Sequence, residues 1–221
     1  MSVAPFLTGY PDLFIQQRQE LIEIAVDWEM GNRYAILDSE ENELAQVVEK
    51  KGGVWGFLLR GFLRSHRALE IAVMDRLGEQ VLKLSRPFFF FFSSLDVTGR
   101  EGRRLGWIQR RFGILYKRYD LVEAAGTRFA RVRAPRWRLW TFPVEGEDGI
   151  STATISKKWG GALREVFTDA DTYRVEFGDA RWTEEQRAII LAAAISIDFD
   201  FFENNQGSRG LLNHLPGSSQ S

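Results

Sequence analysis

Apolar and polar residues alternate with a period of two through most of the first 180 residues, and turn-forming residues interrupt the alternation at short intervals. That pattern predicts many short strands, each with one buried face. Thirteen segments are candidates, for a fold of roughly twelve strands: 13–17, 21–25, 34–38, 44–49, 68–75, 80–85, 94–98, 104–110, 115–123, 128–134, 136–142, 152–158 and 173–177. Arg76-Leu77-Gly78-Glu79 and Ala124-Ala125-Gly126-Thr127 read as hairpin turns, in which the glycine supplies a positive φ. Between Phe129 and Arg133, Ala130 and Val132 oppose Arg131 and Arg133; after Pro135, Trp137 and Leu139 oppose Arg136 and Arg138. The apolar face thus moves by one residue, and Pro135, which has no N–H for a ladder, is the expected site of a bulge or turn.

The pattern changes after residue 182. Ala188 to Ile197 is a run of ten residues without a charge, and extending it to Phe202 gives fifteen but takes in Asp198 and Asp200. As a helix the longer stretch reaches about 22 Å at 1.5 Å per residue, short of the roughly 30 Å of a bilayer core. A helix this apolar on every side has to be hidden, so its place is inside other secondary structure. Thr183 and Gln186 form a capping box at its start, with Glu184 and Glu185 suited to the positive end of the dipole. Antiparallel strands followed by one apolar helix predict a mainly β fold: a barrel of about twelve strands closed around a central helix near residues 183–203. A barrel that wide leaves room for a helix, where eight strands would be filled by their own side chains. Residues 1–9 read as an N-terminal extension, 10–205 as one domain and 206–221 as a Gly/Ser-rich tail.

Composition narrows the chemistry. With no cysteine, disulfides, thiolate metal sites, cysteine nucleophiles and S-palmitoyl anchors are excluded together. Two histidines, His66 and His214, leave little for a catalytic triad. No signal-peptide pattern and no apolar stretch of eighteen residues occurs, so neither export nor ordinary spanning is expected. The net charge of −1 hides a strong asymmetry. Arg100 to Arg138 holds twelve bases against three acids, whereas Asp12 to Glu49 holds ten acids against two bases. A basic middle favours an anionic partner, with Arg131, Arg133, Arg136 and Arg138 as candidate contacts. The same arginines would equally serve as a solvated face that keeps a sheet soluble. Nucleic acid is the less favoured anion, because no recognition element accompanies the charge.

Four ordered blocks carry a family likeness: FIQQRQELIEIAVDWEMGNRYAI (14–36), MDRLGEQVLKLSRPF (74–88), GWIQ (106–109) and ISKKWGGALREVFTDADTYRVEF (155–177). With the greasy segment after them, they cover about residues 10 to 203 and resemble the phospholipid scramblase family, of the Tubby-like superfold. The resemblance implies a barrel around a hydrophobic helix, energy-independent movement of phospholipids in both directions between leaflets, and a peripheral place at the cytosolic face of a membrane. The animal members' Pro-rich arm and Cys-rich, palmitoylated clusters have no counterpart here. Where the clusters would fall stand Val54 to Leu63 and five consecutive phenylalanines, Phe88 to Phe92. Trp55, Phe57, Phe62, Phe89, Phe90 and Phe91 are therefore candidate membrane contacts that take over the anchoring role; packing as core, or as a contact between two copies, is the alternative. The family's proposed calcium loop aligns with residues 169–180. Asp169 and Asp171 suit two ligand positions and Asp179 lies near a third, but Tyr173 and Arg174 do not fit an EF-hand, and capping of a turn explains the first two aspartates equally well.

Overall fold

The computed structural model describes residues 2–18, 30–50, 69–87, 94–111, 113, 116–135, 140–158, 172–178 and 182–197. Twelve strands form one sheet: β1 (Asp12–Arg18), β2 (Met30–Leu37), β3 (Glu43–Lys50), β4 (Leu69–Asp75), β5 (Gln80–Arg86), β6 (Ser94–Thr98), β7 (Arg104–Arg111), β8 (Tyr116–Glu123), β9 (Arg128–Pro135), β10 (Thr141–Gly146), β11 (Ser151–Lys158) and β12 (Thr172–Glu176). Each pairs antiparallel with its neighbours in sequence, and β1 closes on β12 from Asp12 opposite Glu176 to Gln16 opposite Thr172. The result is a closed up-and-down barrel with no free edge. Its hairpins use the expected glycines, with φ of 78° at Gly78 and 92° at Gly126.

All twelve strands contribute side chains to a single apolar core, among them Leu13, Ile36, Val73, Leu84, Leu121 and Val144. The same core holds the helix α2 (residues 184–197), whose residues 188 to 197 are buried without exception. Ten consecutive buried positions exceed two turns, so from 188 to 197 no side of α2 meets water and this part of the helix lies in the lumen. Each enclosed Ile or Leu contributes about 1.5 to 3 kcal/mol. Small residues set how near the wall can come: a Cβ on Gly106 of β7 would sit 2.7 Å from the Cδ1 of Ile189 and 2.1 Å from the carbonyl oxygen of Val122.

The capping box forms as expected. The Thr183 amide donates to Gln186 Oε1 at 3.0 Å, and the Gln186 amide donates to Thr183 Oγ1 at 3.2 Å. Residues 2–9, which the sequence presents as an extension ahead of the domain, pack into it: Val3, Ala4, Phe6 and Leu7 are buried in the common core, the last two on the short helix α1 (Phe6–Gly9). The Ala4 amide and the Ser2 hydroxyl donate to Glu184, and Arg187 donates to the carbonyls of Leu7 and Tyr10 at 2.9 and 3.0 Å. This segment seals the barrel where the helix enters.

One boundary is corrected: the strand expected at 136–142 continues to Gly146, described as Thr141–Gly146, while residues 136–139 lie outside the described residues. β9 ends at Pro135, opposite Tyr116, and the bulge or turn expected there falls next to residues outside the described ones. The candidate strand 21–25 lies outside the described residues, as do 198–203 of the expected helix. Meander connectivity places the described turns (38–42, 76–79, 99–103, 124–127, 147–150) at the end where α2 begins.

Candidate anion-binding face

On β7, β8 and β9 the two-residue period sends Ile108, Tyr119, Leu121, Ala130 and Val132 into the core, and Gln109, Arg111, Arg118, Asp120, Arg131 and Arg133 to the outer face. The ladder then decides which outward residues meet. Arg111 stands opposite Arg118, and Arg118 opposite Arg133, so three arginines from three strands occupy one transverse row of the ladder. With strands about 4.8 Å apart, their backbones lie within about 10 Å. All three side chains are exposed.

Asp120 occupies the next row, between Gln109 and Arg131. It is only 4% exposed because arginines cover it. Arg111 Nε donates to its Oδ2 at 2.7 Å and Arg131 Nε to its Oδ1 at 3.1 Å. Burial raises the Asp120 pKa, but the hydrogen bonds and positive charges of the two arginines outweigh it and leave the carboxyl below the ordinary value. The Arg133 guanidinium lies over the Tyr116 ring, 4.4 Å from its centroid. On the same side of the barrel, Arg104 covers Trp107 at 4.4 Å and donates to Asp96 at 2.6 Å. Arginine stays charged at any accessible pH and only donates hydrogen bonds, so the chemistry open to these side chains is donation to acceptors, here the carboxylates of Asp96 and Asp120.

Of the arginines picked from the sequence, Arg131 and Arg133 belong to this face, and Arg131 is partly committed to Asp120 and faces Glu145 across the β9–β10 ladder. Arg136 and Arg138 lie outside the described residues, as do Trp55, Phe57, Phe62, Phe89, Phe90 and Phe91. Asp169, Asp171 and Asp179 also lie outside them. Residues 172–176 between these aspartates form β12, paired on both edges, so the stretch 169–180 is not one continuous loop. No cluster of three or more potential metal ligands occurs among the described residues. Sequence reasoning missed Arg111 and Arg118. Their signal was membership of the basic stretch, but only register brings them beside Arg133.

The described outer face carries charge and the lumen is apolar, the inverse of a lipid-embedded barrel, whose outside is the apolar band. Among the described residues no helix is long and apolar enough to cross a membrane.

Comparison with known proteins agrees with this architecture. The chain is 29% identical to Altered inheritance rate of mitochondria protein 25 of Saccharomyces cerevisiae, over 94% of this chain and 75% of that protein. It is 27% identical to a phospholipid scramblase family protein of Schizosaccharomyces pombe, over 96% of this chain and 65% of the relative. It is 24% identical to phospholipid scramblase 2 of Bos taurus, over 91% and 72%. No solved structure gives a significant match. The Scramblase family model matches residues 2–204, nearly everything from the sealing segment to the end of the apolar stretch, and the chain belongs to the Scramblase family.

Proposed function

We propose that this scramblase-like protein moves phospholipids in both directions between leaflets without an energy source, working as a peripheral barrel at the cytosolic face of a membrane. The observation that carries the reading is the arginine-rich outer face of β7–β9. A charged headgroup crossing hydrocarbon costs from a few to more than ten kcal/mol, so it needs a polar surface beside it. The lumen cannot supply one while α2 fills it. The outer face can, and no bond need be made or broken for it to act. On sequence grounds, Trp55, Phe57, Phe62 and Phe89 to Phe91 would supply the apolar contact with the bilayer.

A second reading is favoured by the filled lumen: a Tubby-like module that binds anionic lipid or phosphoinositide, or another protein, and does not transport lipid. Dithionite quenching of fluorescent lipid in proteoliposomes separates the two. Transport takes quenching well past the half expected from the outer leaflet alone. A plateau at one half, with vesicle binding retained, leaves the binding module standing and rejects transport.

A further inference from the structure

We infer that the barrel meets an anionic bilayer end-on, through the mouth opposite the start of α2, with its turn-bearing end held away in water. The inference rests on the lipid-surface reading and adds to it the posture of the molecule.

The strand ends carry it. Six strands finish at this mouth, and five of them do so on a base: Arg18 of β1, Lys50 of β3, Arg86 of β5, Arg111 of β7 and Lys158 of β11. The six strands that begin there open on uncharged residues. One residue further in, Arg110, Lys117 and Lys157 add to the rim, against Glu49 and Glu70. At the turn-bearing end the sign reverses. Its strand termini include Asp12, Glu43, Asp75, Glu123 and Glu176 against Arg104 and Arg128, and its turns add seven acids against three bases. A net charge of −1 conceals this axial polarity.

The connections between strands at the basic mouth (19–29, 51–68, 87–93, 112–115, 136–140 and 159–171) hold seven acids and seven bases, so the rim sets the sign of this end. The three acids of 198–203 reduce the excess without reversing it. The dipole of α2 amounts to about half a unit charge at each end, too little to call for rims this large.

Distance decides the posture. An eight-residue strand such as β9 spans about 26 Å at ~3.3 Å per residue, or about 20 Å along the axis of a barrel whose strands tilt by about 40°. Charges are screened over about 8 Å at physiological ionic strength, so a molecule standing on its basic mouth holds the opposite acids roughly two screening lengths from the surface. Lying on its wall, it would bring both rims within reach, and attraction and repulsion would offset one another. Arg111, Arg118 and Arg133 of the outer face lie toward the basic mouth, so that face stays beside the bilayer in the end-on posture. The same mouth is where residues 51–68 and 87–93 join the wall, and these hold the apolar segment Val54 to Leu63 and most of the run Phe88 to Phe92 on either side of β4 and β5. Positive charge and apolar chain therefore belong to one end.

Because the chain has no cysteine, each one introduced is a unique labelling position. Ser94→Cys and Thr141→Cys, on β6 and β10, put an environment-sensitive fluorophore at the basic mouth on different sides of the barrel. Leu77→Cys and Ile150→Cys put it on exposed turns at the acidic end. With phosphatidylcholine vesicles containing phosphatidylserine and a headgroup-spin-labelled lipid, quenching is expected at both mouth positions and at neither turn. Arg133→Gln, near the mouth end of β9, should weaken vesicle binding about fivefold, equivalent to about 1 kcal/mol for a base near the surface. Arg128→Gln, at the other end of the same strand, should change binding by less than about twofold, and both variants should keep the native thermal transition. Quenching at either turn, binding without quenching at the mouth, or equal losses from the two arginine variants overturns end-on docking and leaves the lipid-surface reading standing. Failure of the unsubstituted chain to bind these vesicles overturns both.

Discussion

Asp120 sits under two guanidiniums with almost no surface open to water, and its depressed pKa makes its contribution to stability depend on pH. The folded protein binds the Asp120 proton less readily than the unfolded chain does. The contribution is therefore complete at neutral pH and is lost as pH falls below the ordinary value of 3.8 and through the lower folded-state pKa. Asp120→Asn is expected to lower stability by about 1 to 3 kcal/mol at pH 7, with the gap from wild type closing in acid. Denaturant unfolding of both proteins at pH 7 and at progressively lower pH measures it; a gap independent of pH would contradict the charge-based account. At this scale the sequence was partly legible. The alternation from Phe129 to Arg133 correctly assigned Arg131 and Arg133 to the wet side. Nothing local to Arg111 or Arg118 could disclose that they flank one another and Arg133, because neighbours in a sheet are set by ladder register between strands.

At the scale of elements, α2 was the most legible part of the chain. An uncharged run of ten residues behind a capping box can be satisfied in water only by enclosure, and the structure encloses it. Leu191→Ala would leave a void that neither the helix nor a closed wall can collapse to fill, and is expected to cost about 2 to 5 kcal/mol. Thermal and denaturant unfolding check this; a loss below 1 kcal/mol would mean that the lumen is loosely packed. The tenth strand runs four residues past its expected end, through Pro143, a residue that normally argues against strand. In the barrel, Pro143 pairs with Thr154 on β11, while the β9 ladder runs only from Val144 to Gly146, so the missing N–H of Pro143 falls beyond that ladder. The sealing role of residues 2–9 escaped detection because so short an apolar segment has no periodicity, and its worth comes from contacts with Glu184 and Arg187 about 180 residues away.

Closure is a property of the whole molecule, and it can be observed directly. Since β1 and β12 pair along their lengths, their amides should exchange with deuterium as slowly as those of interior strands such as β4 or β8. Early exchange confined to β1 and β12 would show a sheet that opens at this seam. The sequence alone determined the strand-rich class, the buried helix, the exclusion of cysteine chemistry and the family likeness, because period, length, composition and ordered motifs are all carried locally along the chain. Only the tertiary structure decided which arginines share a row and that the N-terminal residues pack into the barrel beside the start of its helix. Those facts depend on contacts between residues far apart in the chain, and the energy of such contacts is set by register and closure, which no local pattern encodes.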